Sequence, residues 1–153
     1  MTLSSTAEGC HKQMEQYLDQ MVDGIVGFLK DPHPRVRYAA CNCVGQMATD
    51  FAPTFQKKYH TKVLPGLLMI LDDNQNPRVQ AHGGAALVNF AEDAPKNILI
   101  TYLDNIVNKL QDVLVAKVYD VNISHSISFV LKIILIIFFY FLIACSTQEE
   151  TRA

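Results

Sequence analysis

The sequence predicts an all-α protein built from stacked helical hairpins, and three observations support this. The proline-led stretch Pro34-Arg35-Val36-Arg37 recurs 43 residues later as Pro77-Arg78-Val79-Gln80. Each copy follows an apolar segment ending in Leu-Lys-Asp or Leu-Asp-Asp, and each is followed by an aspartate and then Ala-Pro. Between these marks, apolar residues recur every three or four positions, which is the period of an amphipathic helix.

A spacing near 40 residues is typical of HEAT or armadillo repeats, in which each unit is a pair of antiparallel helices, A and B. We therefore predict an α-solenoid with two full repeats, residues 14–53 and 54–95. Residues 1–13 are predicted to end a preceding element. Residues 96–120 are predicted to be the unpaired A helix of a truncated third repeat, and residues 121–153 form a tail without the repeat pattern.

The first repeat shows both of its helices clearly. An apolar stripe predicts an A helix over residues 14–29; its members are Tyr17, Leu18, Met21, Val22, Ile25, Val26, Phe28 and Leu29. A B helix is predicted over residues 34–50, because proline is tolerated in a first helical turn and Asp31 can accept a hydrogen bond from a free N–H there. Small residues along this B helix would let a neighbouring helix come close.

The second repeat carries two irregularities. Pro65 lies within the A helix predicted over residues 55–71, so we expect either a kink or a later helix start with residues 55–60 as a separate turn. The B helix is predicted over residues 77–93, and six of its residues are expected to face inward: Val79, Ala81, Ala85, Ala86, Leu87 and Phe90. Within it, Gly83 and Gly84 would cost about 1 kcal/mol each relative to alanine.

Composition narrows the function classes. The net charge is −2 and no basic cluster is present, so nucleic acid is not an expected partner. The four cysteines and five histidines show no zinc-binding spacing, and no nucleophile has an activating base nearby in sequence. We therefore expect no metal, no cofactor and no catalytic residue, that is, a binding protein and not an enzyme. The thiols are expected to be free.

The tail contains an apolar segment at residues 129–145 with a single charge, Lys132. As a helix it would span about 25 Å, just short of a bilayer core of about 30 Å. A hydrophobic C-terminal helix that anchors a membrane-tethered adaptor is one interpretation. A buried helix in place of the missing third B helix is a second, and translated intron sequence after Asp120 is a third.

The sequence of the repeats resembles a known family. Residues 31–43, 45–53, 78–82 and 102–105 are similar to the importin-beta family of nuclear transport receptors, in its karyopherin beta-3 branch, and the likeness covers about residues 7–120. The tail has no counterpart there, and Gly83-Gly84 stands where the relatives have alanines. The resemblance implies an internal piece of a longer superhelix, found in cytoplasm and nucleus. It would bind cargo proteins with basic localisation signals, nucleoporins and the Ran GTPase, but with too few repeats for the full cycle.

The resemblance also suggests which residues act. In this family the B helices face the concave side, so Asn42, Gln46, Asn89 and Asp93 are possible cargo-facing residues, with ordinary solvated helix surface as the alternative. HEAT consensus residues join stacked repeats through a ladder of aspartates and arginines, and we assign Asp31, Arg37 and Asp72 to it. A contact of Arg35 and Arg37 with acidic cargo is the alternative.

Overall fold

A computed structural model describes residue 10 and residues 12–118, with side chains up to residue 113. Every element in this part is helical, which confirms the all-α prediction. A 3₁₀ turn at Glu15–Tyr17 leads into the first helix. The helices are α1 Leu18–Phe28, α2 Pro34–Asp50, α3 Thr54–Ile70, α4 Pro77–Glu92 and α5 Lys96–Val118.

The helices form two layers. The A helices α1, α3 and α5 make one layer, in which α3 packs against both α1 and α5. The B helices α2 and α4 make the other layer and lie alongside each other along much of their length. This arrangement of successive hairpins, each covering the flank of the next, is that of an α-solenoid.

Small residues explain how closely the B helices approach. Gly45 on α2 is buried, and a Cβ built there would lie 3.4 Å from the Cα of Ala86 on α4. Gly83 has a similar role, because a Cβ there would lie 3.1 Å from the Cβ of Ile70 on α3 and closer still to the Cγ2 methyl. The glycine that the sequence marks as a helix-weakening residue therefore makes room for packing.

The start of α2 differs in detail from the prediction. His33 is the N-cap residue, and its Nδ1 accepts a hydrogen bond from the Arg35 N–H at 3.2 Å. Asp31 acts one step earlier, because its Oδ1 accepts the N–H of His33 at 2.8 Å and fixes the turn before the helix. Pro34 has no N–H, so the first N–H group of the helix that needs a partner is that of Arg35. His33, and not Asp31, supplies the acceptor for it.

Of the two alternatives for Pro65 the later helix start is wrong, and the inward position expected for two alanines is wrong as well. Helix α3 runs without a break from Thr54 to Ile70, so residues 55–60 do not form a separate turn. The side chains of Phe55, Tyr59 and Val63 are buried ahead of Pro65, and this packing stabilises the turns that the proline weakens. Ala81 and Ala85 are exposed, not inward, because they lie on the part of α4 that its two packing partners, α2 and α3, do not cover.

The core lies between the two layers. The large side chains buried there come from both repeats and include Leu29, Met47, Leu64, Leu67 and Phe90. Some apolar residues of the A layer stay exposed, notably Tyr17 just before α1, Phe28 at the end of α1 and Ile100 on α5. Predictions for residues 121–153, including the apolar segment 129–145, lie outside the described residues. No helix in the described part is long and apolar enough to cross a bilayer.

Candidate functional site

The B helices present one continuous surface, here called the B face. Its members recur every three or four residues on the two B helices and their C-terminal ends: Tyr38, Asn42, Gln46, Asp50, His82, Ala85, Asn89 and Asp93. All four predicted cargo-facing residues therefore lie on this surface. Asn42, Gln46 and Asn89 are half-buried and Asp93 is exposed, so their polar groups lie at the surface of the packed B layer.

Hydrogen bonds orient the amide groups of the B face. The Gln46 Nε2 donates to both carboxylate oxygens of Asp50 at 3.1 Å. The Asn89 Nδ2 donates across the helix pair to the Gly45 carbonyl oxygen at 3.5 Å. Among the described residues, no donor reaches the side-chain oxygens of Gln46 or Asn89. In Gln46 and Asn89 the hydrogen-bonded N–H groups thus point toward the protein.

Charge is unevenly distributed along the B face. Asp50, Glu92 and Asp93 lie where α2 and α4 end, and the partial negative charge of both helix C-termini adds to theirs. Arg35 and Arg78 lie at the opposite end, in the first turns of the same helices. Asp50 is a member that the sequence reasoning missed, although its position matches that of Asp93 in the second repeat.

The predicted ladder between repeats is present around Arg37, with a different aspartate. The Arg37 guanidinium donates to Asp73 Oδ2 from Nε at 3.1 Å and from Nη2 at 2.6 Å. Its Nη1 donates to the backbone carbonyls of Asp31 at 2.8 Å and Pro32 at 3.0 Å. Arg37 therefore joins the turn of its own repeat to the turn of the next.

Asp72 and Asp73, the two aspartates in the turn before α4, have different partners. Asp72 is directed to α5, where its carboxylate accepts from Lys109 Nζ at 2.6 and 2.7 Å. Asp73 receives Arg37 and also the side-chain amide of Asn76 at 2.9 Å. Burial opposes ionisation of Asp73, but the hydrogen bonds from Asn76 and Arg37 outweigh it, so the pKa of this carboxyl is lowered.

In the second repeat, the ladder position is occupied by a neutral residue. Gln80 matches Arg37 in the repeat register and is buried, with its Nε2 donating to the Leu71 carbonyl at 2.7 Å and to Asn74 Oδ1 at 3.0 Å. These two hydrogen bonds hold Gln80 to the turn of its own repeat without a charged side chain. The register of 43 residues could have identified Gln80, because it aligns with Arg37 and Asn74 aligns with Asp31.

The structure gives no sign of a reactive or metal-binding centre in the part that it describes. Burial raises the pKa of the Cys41 thiol to about 12 and raises that of Cys43 as well, so both stay protonated. No group of three histidine, cysteine or acidic side chains comes together among the described residues.

The fold is that of a HEAT-type helical-repeat protein, and its B face is a polar, partly acidic surface. A family described as HEAT-like repeat matches residues 1–47. The chain is 44% identical over 110 residues to importin subunit beta-3 of Saccharomyces cerevisiae, covering 72% of this chain and 10% of the relative. It is 30% identical over 115 residues to importin subunit beta-2 of Schizosaccharomyces pombe, covering 72% of this chain and 12% of the relative.

Solved structures agree with these relatives. The structure of Kap121p bound to Pho4p matches with a TM-score of 0.79 and 39% identity, over 88% of this chain and 13% of that chain. Kap121p bound to RanGTP matches with a TM-score of 0.76 and 40% identity, over 84% of this chain and 12% of that chain. Another matching structure shows Kap121p with Nup53p. The chain is therefore a HEAT-repeat segment of the importin-beta family, and it spans about a tenth of the curated relatives' length.

Proposed function

We propose that this chain supplies part of the cargo-binding surface of an importin-beta-type nuclear import receptor. In this proposal the B face binds a basic segment of a cargo protein. The observation that carries it is the alignment of polar side chains from two consecutive repeats along one face, with Asn42 and Gln46 on α2 and Asn89 on α4. An extended peptide that crosses the B helices would meet equivalent groups at each repeat.

The charge of the B face favours a basic ligand. Lysine or arginine side chains are attracted to Asp50, Glu92 and Asp93 and to the C-terminal ends of both helices. The side-chain oxygens of Gln46 and Asn89 could accept hydrogen bonds from the peptide's N–H groups or from lysine. Long stems of basic side chains could pack beside the half-buried B-face residues, which adds apolar contact.

One of the matching structures lends separate support. It is a Kap121p variant with seven substitutions, and four of the replaced residues are a glutamate, an asparagine, an aspartate and a second asparagine. These four have the order and the intervals of Glu8, Asn42, Asp50 and Asn89 in this chain. Three of these positions, Asn42, Asp50 and Asn89, are members of the B face.

The decisive experiment is an NMR titration of the ¹⁵N-labelled full chain with a short lysine-rich peptide, which detects weak binding. We expect shifts at Asn42 and Asn89 and their neighbours on the B face. Asp50→Asn combined with Asp93→Asn is expected to weaken binding at least fivefold. Shifts confined to the A layer would contradict the proposal.

A matched control separates a specific site from general charge attraction. Asp104→Asn with Asp112→Asn removes the same number of charges from exposed positions on α5. We expect this control variant to bind the lysine-rich peptide like the unchanged chain. Equal weakening by both double variants would mean that the peptide responds to net charge alone, and the B-face assignment would fail.

The wider partnerships belong to the same proposal. Kap121p has been solved with Pho4p, with Nup53p and with RanGTP, and we propose that a receptor containing this segment meets cargo proteins, nucleoporins and Ran. It would accordingly operate in cytoplasm and nucleus and have no catalytic step. The segment alone is expected to bind cargo weakly, because two repeats supply few of the contacts that a longer superhelix would add.

A further inference from the structure

A groove of about 630 Å³ lies between the first turns of α2 and α4, at the end of the B face away from Asp50 and Asp93. It is here called the arginine groove. Its lining includes Tyr38, Val79 and two prolines, and the rings and aliphatic carbons of these residues make a largely apolar interior. Arg35 and Arg78 line the same groove, one from each B helix, and both are exposed.

The arginine groove carries positive charge that no carboxylate of its own lining offsets. Among the described residues, neither Arg35 nor Arg78 forms a salt bridge, and the lining contains no carboxylate. Asp31 and Asp73 lie in the turns that precede the two helices, outside the lining of the groove; Asp73 is paired with Arg37, and Asp31 accepts the His33 N–H. The positive ends of the dipoles of α2 and α4 add to the potential at this point.

We propose that the arginine groove binds an acidic, extended segment of a partner protein. An aliphatic side chain of that segment would enter the groove, and flanking aspartates or glutamates would pair with Arg35 and Arg78. A peptide fits better than nucleic acid, because the interior is apolar and the chain as a whole has a net charge of −2. The exposed amide of Gln75 at the rim can bond to the peptide backbone.

This inference goes beyond the proposed cargo site and does not depend on it. The arginine groove lies at the N-terminal ends of the B helices and the acidic residues Asp50 and Asp93 lie at their C-terminal ends, so the two regions attract charges of opposite sign. A cargo segment that used both would need an acidic stretch beside its basic cluster.

The test is fluorescence anisotropy of the full chain with a labelled peptide in which aspartates and glutamates flank one leucine. We expect saturable binding that weakens as salt is added. Arg35→Glu combined with Arg78→Glu is expected to reduce affinity at least tenfold, with helix content by circular dichroism unchanged. If that variant unfolds, the glutamine pair Arg35→Gln with Arg78→Gln replaces it, with a loss of at least fivefold expected.

Two controls make the result specific. Lys57→Glu with Lys96→Glu gives the same change in net charge at exposed positions outside the groove, and its affinity is expected to stay within twofold of the unchanged chain. A peptide with asparagine and glutamine in place of the acids is expected not to bind. Equal losses in the lysine and arginine variants, or equal binding of the neutral peptide, would overturn the proposal.

Discussion

Replacing Arg37 with methionine should weaken the junction between the two repeats. Methionine keeps much of the apolar stem but removes four hydrogen bonds, two to Asp73 and two to the carbonyls of Asp31 and Pro32. The side chains of Arg37 and Asp73 are each only 15% exposed, so solvent screens their interaction weakly. The variant leaves Asp73 with Asn76 as its remaining side-chain donor.

The magnitude follows from this geometry. A hydrogen bond to a charged group contributes about 1.5–3 kcal/mol net, and breaking a fully buried pair costs about 3–5 kcal/mol. Because the pair retains some exposure and Asp73 keeps Asn76, we expect a loss near the lower end, about 3 kcal/mol. That corresponds to roughly a hundredfold change in the folding equilibrium constant. Urea unfolding of the full chain, followed by circular dichroism at 222 nm, measures it.

The matched control is Lys58→Met on the A layer. Lys58 pairs with Asp19 at 2.8 Å, but both side chains are more than half exposed. Exposed pairs contribute less than about 1 kcal/mol. The reasoning fails if Arg37→Met is no more destabilising than Lys58→Met, because burial and the two backbone carbonyls would then have no measurable effect.

The pH dependence gives a second check on the same contact. The folded pKa of Asp73 lies below its ordinary value of about 3.8, so the ionised form stabilises the fold at neutral pH. This contribution is complete above the unfolded pKa and is lost as pH falls through the lower, folded pKa. The difference in unfolding free energy between the unchanged chain and Asp73→Asn should therefore be constant from pH 7 to about 5 and shrink below about 4. A difference that persists undiminished at pH 2 would refute the assignment.

Two further predictions concern packing and thiol chemistry. Gly83→Ala should destabilise by about 1–2 kcal/mol despite its better helix propensity, because its Cβ would overlap Ile70. Gly24→Ala, on the exposed side of α1 with nothing within 4 Å, should stabilise by about 0.5–1 kcal/mol, and urea unfolding of both variants shows whether the signs differ as expected. In the folded chain at pH 8, a maleimide should label exposed Cys10 and spare Cys41, as read by peptide mass spectrometry. Rapid labelling of Cys41 without denaturant would show that the helix is not buried as described.

Local rules placed the helices from sequence alone. The 43-residue recurrence, the prolines at 34 and 77 and the apolar period of three to four residues define α2 and α4 to within a residue. The B-face residues Asn42, Gln46, Asn89 and Asp93 followed from the same register together with the family resemblance. These features depend on backbone geometry and on the spacing of apolar side chains along a helix, and both are determined by residues close together in sequence.

The tertiary structure decided which side chains pair with each other. The sequence offers Asp72 and Asp73 side by side, and only the packing of the second turn between α2 and α5 sends one to Lys109 and the other to Arg37. Likewise Gly83 looks unfavourable within a helix until Ile70 is seen against it. Contacts between repeats depend on which atoms come close together after two helices have packed. The hydrophobic pattern of the sequence does not specify the distances between those atoms.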